Sequence, residues 1–167
     1  MAHTFTIAPE ALKRCFSVYV VVAESDDGTK LYVGKTGDNR EGCNPIISRC
    51  GNHFSYNKIH SQVRNKLEAH EDWRYTYAFD HFDPYPECQD KRRECIDRIN
   101  EMERWLNQMV QALADGYAST EVLNPYTGSG HVKADERARR KGFRTDEAKQ
   151  KLESVVKAVE SVLLGDR

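Results

Sequence analysis

Glu103 is the residue whose type disagrees most with its surroundings. Around it, Ile96, Ile99, Met102, Leu106, Val110 and Leu113 recur at helical spacing, which predicts one apolar stripe on a long helix. At about 100° per residue, Glu103 projects about 20° from Ile96 and from Val110, inside that stripe, while Glu101 points about 160° away toward water. An ionised carboxylate among apolar side chains costs several kcal/mol unless something compensates it. An arginine partner, a stripe edge that reaches water and a bound metal ion are the available compensations.

Arg49 and His53 lie four positions apart on a segment predicted to be helical. That spacing puts a permanent cation and a titratable ring on one face. Two tyrosines, Tyr19 and Tyr32, sit near the middle of strand-like runs, and Lys35 follows the second. Aromatic residues in strands are ordinarily packing, so each feature alone reads equally well as structure. Cys43, Cys50 and His53 offer zinc-type donors, but the gap between the two cysteines is not a common finger spacing. Residues 28–36 read like a phosphate-binding loop, with one residue too many between Gly28 and Gly34-Lys35-Thr36. Such a loop should follow a strand and open into a helix, whereas Leu31-Tyr32-Val33 is itself strand-forming.

The elements that must position these residues follow from periodicity and turn chemistry. Residues 16–23 and 31–34 predict two strands, joined through Ser25-Asp26-Asp27-Gly28 into a hairpin whose register stays open. Asn44 and Pro45 predict a helix start that carries the chain through Arg49 and weakens near Gly51. A second helix is predicted from Ile59, Val63 and Leu67. Trp73, Tyr75, Tyr77 and Phe79 alternate with polar or small residues, a strand of period two. The long helix spans about residues 87–114 and stops at Asp115-Gly116. Residues 124–130 are rich in turn formers and predict a boundary, giving a core over 1–127 and a tail over 128–167. In the tail, Thr145-Asp146-Glu147 caps an amphipathic helix bearing Leu152, Val155, Val156, Val159, Val162 and Leu163. The fold class is α+β with a C-terminal helical tail.

Composition bounds the function classes. The chain has 167 residues, 39% hydrophobic and 31% charged, with net charge −1, so attraction to a polyanion must come from local patches. No run approaches the roughly 18 apolar residues of a membrane span, and the first residues lack the order of a secretory signal. Five cysteines without a CxxC pair read as reduced thiols, which makes the cytoplasm the expected compartment. One basic patch stands out in the tail: Lys133, Arg137, Arg139, Arg140, Lys141 and Arg144. It reads either as a phosphate grip, with Arg139 and Arg140 at its centre, or as a solvated linker to a helix that packs on the core or on a second copy.

Taken in order, these features resemble the GIY-YIG endonuclease family over about residues 15–127. Val18-Tyr19-Val20 stands where the first signature falls, Tyr32-Val33-Gly34-Lys35 is similar to the second, and Arg49 with His53 matches the helix that follows. Glu103-Arg104-Trp105-Leu106 resembles the metal-binding glutamate helix, and Asn124 the asparagine that closes the site. The first signature lacks its usual glycine and isoleucine, the Tyr32–Arg49 interval needs an insertion after Thr36, and Arg40 competes with Arg49 for the arginine role without a histidine or tyrosine four residues on. The resemblance implies a small three-stranded antiparallel sheet flanked by helices and metal-dependent hydrolysis of nucleic acid, DNA before RNA. It implies Glu103 holding one Mg²⁺ or Mn²⁺, and Arg49 on the phosphate. Tyr32 would be the general base, assisted by Tyr19 or His53 and eased toward ionisation by Lys35, with Asn124 orienting backbone or substrate. An inactive module of the same fold, binding nucleic acid or protein, is the alternative, and retention of every candidate catalytic residue weighs against it.

Overall fold

In the computed structural model, which describes residues 1–37, 43–128 and 132–165, the axis of the molecule is strand β1 (Cys15–Ser25). Every residue from Phe16 to Ala23 is buried, because both faces of β1 are covered. That double burial is why the strand reads as a near-continuous apolar run rather than an alternating one. Strand β2 (Gly28–Lys35) pairs antiparallel with it through the tight turn at Asp26 and Asp27, with Ser25 opposite Gly28 and Tyr19 opposite Gly34. Strand β3 (Arg74–Pro84) pairs with the other side of β1, also antiparallel.

The sheet departs from the three-stranded antiparallel expectation. A short strand β4 (Thr120–Val122) adds to β2 in parallel, giving a mixed four-stranded sheet of order β3-β1-β2-β4. Three residues are too few to show alternation in a sequence.

Helix α1 (Ile46–Phe54) starts one residue later than Asn44 and Pro45 suggested. Pro45 is itself the N-cap, without a side-chain cap, and Gly51 lies inside the helix on its exposed side. The helix expected over Ile59, Val63 and Leu67 does not form. Only a 3₁₀ turn, Arg64–Lys66, occurs there, because the amides of Asn57, Gln62 and Asn65 bind nearby backbone groups instead. Such local bonds compete with the helical ladder.

Helix α2 (Gln89–Ala114) buries Ile99, Met102, Leu106 and Val110 against one face of the sheet. After it come α3 (Ala134–Lys141) and α4 (Asp146–Leu163), the latter capped by Thr145, whose hydroxyl accepts the Ala148 N–H. Ala148, Leu152, Val155 and Val159 of α4 enter the same core as α2 and β1, so the tail is structurally continuous with the sheet. The opposite face carries a second core of Tyr19, Val21, Ala23, Ile46, Val63 and Leu67. Residues 28–35 are strand throughout, which removes the phosphate-loop reading, and Thr36 is spent locking the strand end: it accepts the Ser17 N–H at 2.8 Å. Among the described residues, no helix is long and apolar enough to cross a membrane.

Candidate active site

The site forms where β4 runs out. β4 pairs with β2 only as far as Leu31, leaving Tyr32 to Lys35 at an open edge. Asn124 then takes over with its side chain: its Oδ1 accepts the Val33 N–H at 3.0 Å and its Nδ2 donates to the Val33 carbonyl at 2.7 Å. A single amide thus satisfies both backbone groups of Val33, as a neighbouring strand would.

Tyr19 and Tyr32 share the α1 face, since Tyr19 opposes Gly34 and Tyr32 opposes Val21, two residues farther along β1. The ring of Tyr19 lies directly over Gly34, where a Cβ would fall 2.4 Å from its Cζ. No other residue type fits there without moving the ring. His53 of α1 comes down beside both tyrosines, hydrogen-bonded through Nε2 to the Tyr19 hydroxyl at 2.7 Å and with its ring 5.0 Å from that of Tyr32. His53 is buried, and its Nδ1 has no hydrogen-bond partner among the described residues. Burial, reinforced by the nearby Arg49 charge, pushes the imidazole down to about 4, so it is neutral at neutral pH.

Arg49, one turn before His53, donates from Nε to the Lys35 carbonyl at 3.3 Å. The Lys35 ammonium lies 3.3 Å from the Glu103 carboxylate. Tyr32 is pushed up to about 12, first by burial and then by the Glu103 charge, with Arg49 pulling the other way. The expectation that Lys35 eases Tyr32 toward ionisation is therefore corrected. Lys35 is engaged with Glu103, and the cation that lowers the phenol is Arg49. Burial raises the Tyr19 phenol far above its ordinary value, with the neighbouring Tyr32 adding to the effect.

Glu103 and Glu101 exchange the surroundings read from the helical wheel. Glu103 is partly exposed, with its side chain at 31%, and lines a cleft of about 470 Å³ with Asn100, Arg104, Asn107, Asn124 and Tyr126. Glu101, assigned to water, is 1% exposed. Arg144, in the link between α3 and α4, donates from Nε to its carboxylate at 2.8 Å. The packing of that link over α2 makes a second buried flank that no single stripe discloses.

The tail arginines are likewise engaged. Arg139 lies 2.9 Å from Asp97, and Arg140 lies 3.4 Å from Asp97 and 2.6 Å from Glu136. Arg140 borders the cleft, whereas Arg139 faces a separate concavity with Lys133 and Glu136. The proposed zinc donors do not gather: Cys43 donates to the Cys15 carbonyl in one core, and Cys50 packs in the other. Arg40 lies outside the described residues, as do the rest of 38–42 and the 129–131 end of the turn-rich loop.

Asn107 escaped the sequence reading. It is buried one turn beyond Glu103 and donates to the Asn124 carbonyl at 2.8 Å, while its Oδ1 accepts the Tyr126 N–H at 2.9 Å. Its only sequence signal is the four-residue spacing from Glu103, which places both on one helix face.

Seven residues from five segments therefore lie around the open end of β2 in two groups: Tyr19, Tyr32, Arg49 and His53 on the α1 side, and Lys35, Glu103 and Asn124 toward α2 and its cleft. Together they offer an anion-binding guanidinium, an acid–base pair of phenol and imidazole, and a carboxylate open to solvent. Among the described residues, no group of three or more His, Cys, Asp or Glu gathers as a metal site, so Glu103 stands as a lone carboxylate. No protein-family model, curated protein or solved structure matches this chain.

Proposed function

We propose that this chain is a metal-dependent endonuclease of the GIY-YIG type, hydrolysing phosphodiester bonds in nucleic acid, with DNA as the substrate. The observation that carries this reading is the meeting of Arg49, Tyr32 and the Lys35–Glu103 pair at an open strand edge beside a polar cleft.

Glu103 suits a hard divalent cation that keeps most of its water. Its carboxylate faces an open cleft, and its ion-pair partner is the single ammonium of Lys35 at 3.3 Å. Mg²⁺ is commonly held by one or two carboxylates plus water and substrate phosphate. Bound there, Mg²⁺ or Mn²⁺ would act as a Lewis acid on phosphoryl and leaving-group oxygens.

The chain's own residues divide the remaining work. Arg49 forms no ion pair among the described residues, and with its Nε on the Lys35 carbonyl its two terminal nitrogens remain to fork onto two phosphate oxygens. Tyr32 first releases its own phenolic proton to solvent and then, as the phenolate, accepts the proton of the attacking water. Burial is the main brake on that ionisation, the Glu103 charge adds to it, and Arg49 works against it. His53, already neutral, holds the Tyr19 hydroxyl through Nε2. Asn124 fixes the strand that carries Tyr32 and Lys35.

The test compares two glutamates two residues apart. Purified protein should nick plasmid DNA with Mg²⁺ or Mn²⁺ and stop when EDTA is added. Glu103→Ala should abolish cutting while the cooperative melting transition is retained. Glu101→Ala should instead lower stability by about 1.5–3 kcal/mol, because it removes the charge-assisted hydrogen bond from Arg144. Full cutting by Glu103→Ala would remove the assignment, and DNA binding without metal-dependent cutting would leave only a binding module.

A further inference from the structure

Half of the basic patch anticipated in the tail, Arg139, Arg140 and Arg144, is ion-paired within the chain, and the molecule carries another cationic surface. Between Glu41 and Glu68 the sequence contains no aspartate or glutamate, although the whole chain has 26 acids among 167 residues. That interval holds Arg49, Lys58, Arg64 and Lys66, with His53 and His60. None of these four cations forms an ion pair among the described residues, whereas Arg139, Arg140 and Arg144 all do.

The interval is also a single built surface. α1 supplies Arg49, and residues 55–67 continue directly from it, anchored under the same sheet face by Val63 and Leu67 in the core that holds Tyr19. The loop between is stitched from within. Asn57 Oδ1 accepts the N–H groups of Ile59 and His60 at 2.9 and 3.3 Å, and Gln62 donates to the Ile59 carbonyl at 2.8 Å. Asn65 donates to the Lys58 carbonyl at 2.8 Å, and the buried Ser61 hydroxyl donates to the Ser55 carbonyl. Arg64 donates to that same carbonyl at 2.9 Å and stacks over the exposed Tyr56 ring at 4.6 Å. With these bonds in place, Lys58 and Lys66 are exposed on a backbone that is already ordered, so little backbone entropy remains to be lost when a ligand is gripped. The acids resume only at Glu68, Glu71 and Asp72, where Tyr56 reaches Glu71 at 3.4 Å.

We infer that residues 55–67 form the track along which the polynucleotide's phosphate backbone leaves the active site, with Lys58 and Lys66 as its phosphate contacts. This rests on the nucleic-acid reading proposed above. Phosphate contacts of this kind carry affinity and salt dependence without sequence information. They also let a chain of net charge −1 hold a polyanion, because this interval presents cations with no acid between them.

The experiment measures binding of a fluorescent duplex DNA to the full-length protein in EDTA, so that no cutting is needed for the readout. Lys58→Glu with Lys66→Glu should weaken binding by at least roughly tenfold and reduce the slope of log K against log salt by about two. Lys91→Glu with Lys157→Glu makes the same change in net charge on other surfaces and should leave both quantities near wild type. Lys58→Arg with Lys66→Arg, which keeps both charges, should restore binding. Equal weakening by the two charge-reversed pairs overturns the inference, as does unchanged binding in the Lys58 and Lys66 pair or absence of DNA binding by wild type. Wild-type hydrolysis of a small aryl phosphodiester with Mn²⁺ reports separately on the catalytic proposal. A track that fails and a nuclease that fails are thereby told apart.

Discussion

At the scale of single residues, the site is governed by how burial and charge set protonation. His53 is held near 4 instead of 6.5, by burial first and by the Arg49 charge second. In the unfolded chain the imidazole takes up a proton below about 6.5, whereas the native one resists until about 4. Between those values the unfolded state binds more protons, so native stability falls as pH drops through that window and is fully present above it. The loss should reach up to about 3 kcal/mol by pH 4. Replacing His53 with Gln should flatten that part of the stability–pH curve, measured by urea unfolding at stepped pH. A curve with the same slope in wild type and variant would show that His53 is not neutral in the native state.

At the scale of elements, Asn124 does the work of a strand that ended too soon. Removing its side chain as Asn124→Ala withdraws two hydrogen bonds from Val33, which should lower stability by about 2 kcal/mol. The Val33 amide should exchange with solvent faster than amides elsewhere in β2, and unchanged protection there would count against the role. The elements legible in the sequence were those whose partners show in their own pattern. β1 and β3 were carried by apolar runs and alternation, α2 by its stripe, and α4 by its stripe and the Thr145 cap. Elements set by distant partners were not legible: β4 exists because β2 offers it an edge, and Glu101 is buried because Arg144 folds back over it. The candidate site was readable as an ordered set of chemical types, yet Asn107, Glu101 and the acid-free interval were not. The first two depend on loops that return to α2, and a whole-chain charge count averages away the third.

At the scale of the whole molecule, the tail completes the sheet's cover. Ala148, Leu152, Val155 and Val159 are all buried against α2 and β1. Fully burying one such aliphatic side chain contributes about 1.5–3 kcal/mol, so three of them approach the entire margin of roughly 5–15 kcal/mol that keeps a domain folded. A chain ending at Thr127 should therefore lose its cooperative thermal transition, seen by circular dichroism, even though it retains every candidate catalytic residue. A sharp transition in that truncated chain would mean that the sheet and α2 are self-sufficient.

The open half of β2 has one more consequence. Exposed strand edges invite other polypeptides to add a strand, and proteins normally blunt them. Here a visiting peptide would find the Val33 N–H and carbonyl already taken by the Asn124 amide, with no ladder left to extend. A polynucleotide has no use for that ladder and is not refused by its absence. The notch beside Asn124 is thus closed to β-aggregation, while under the proposed function it would stay open to phosphate.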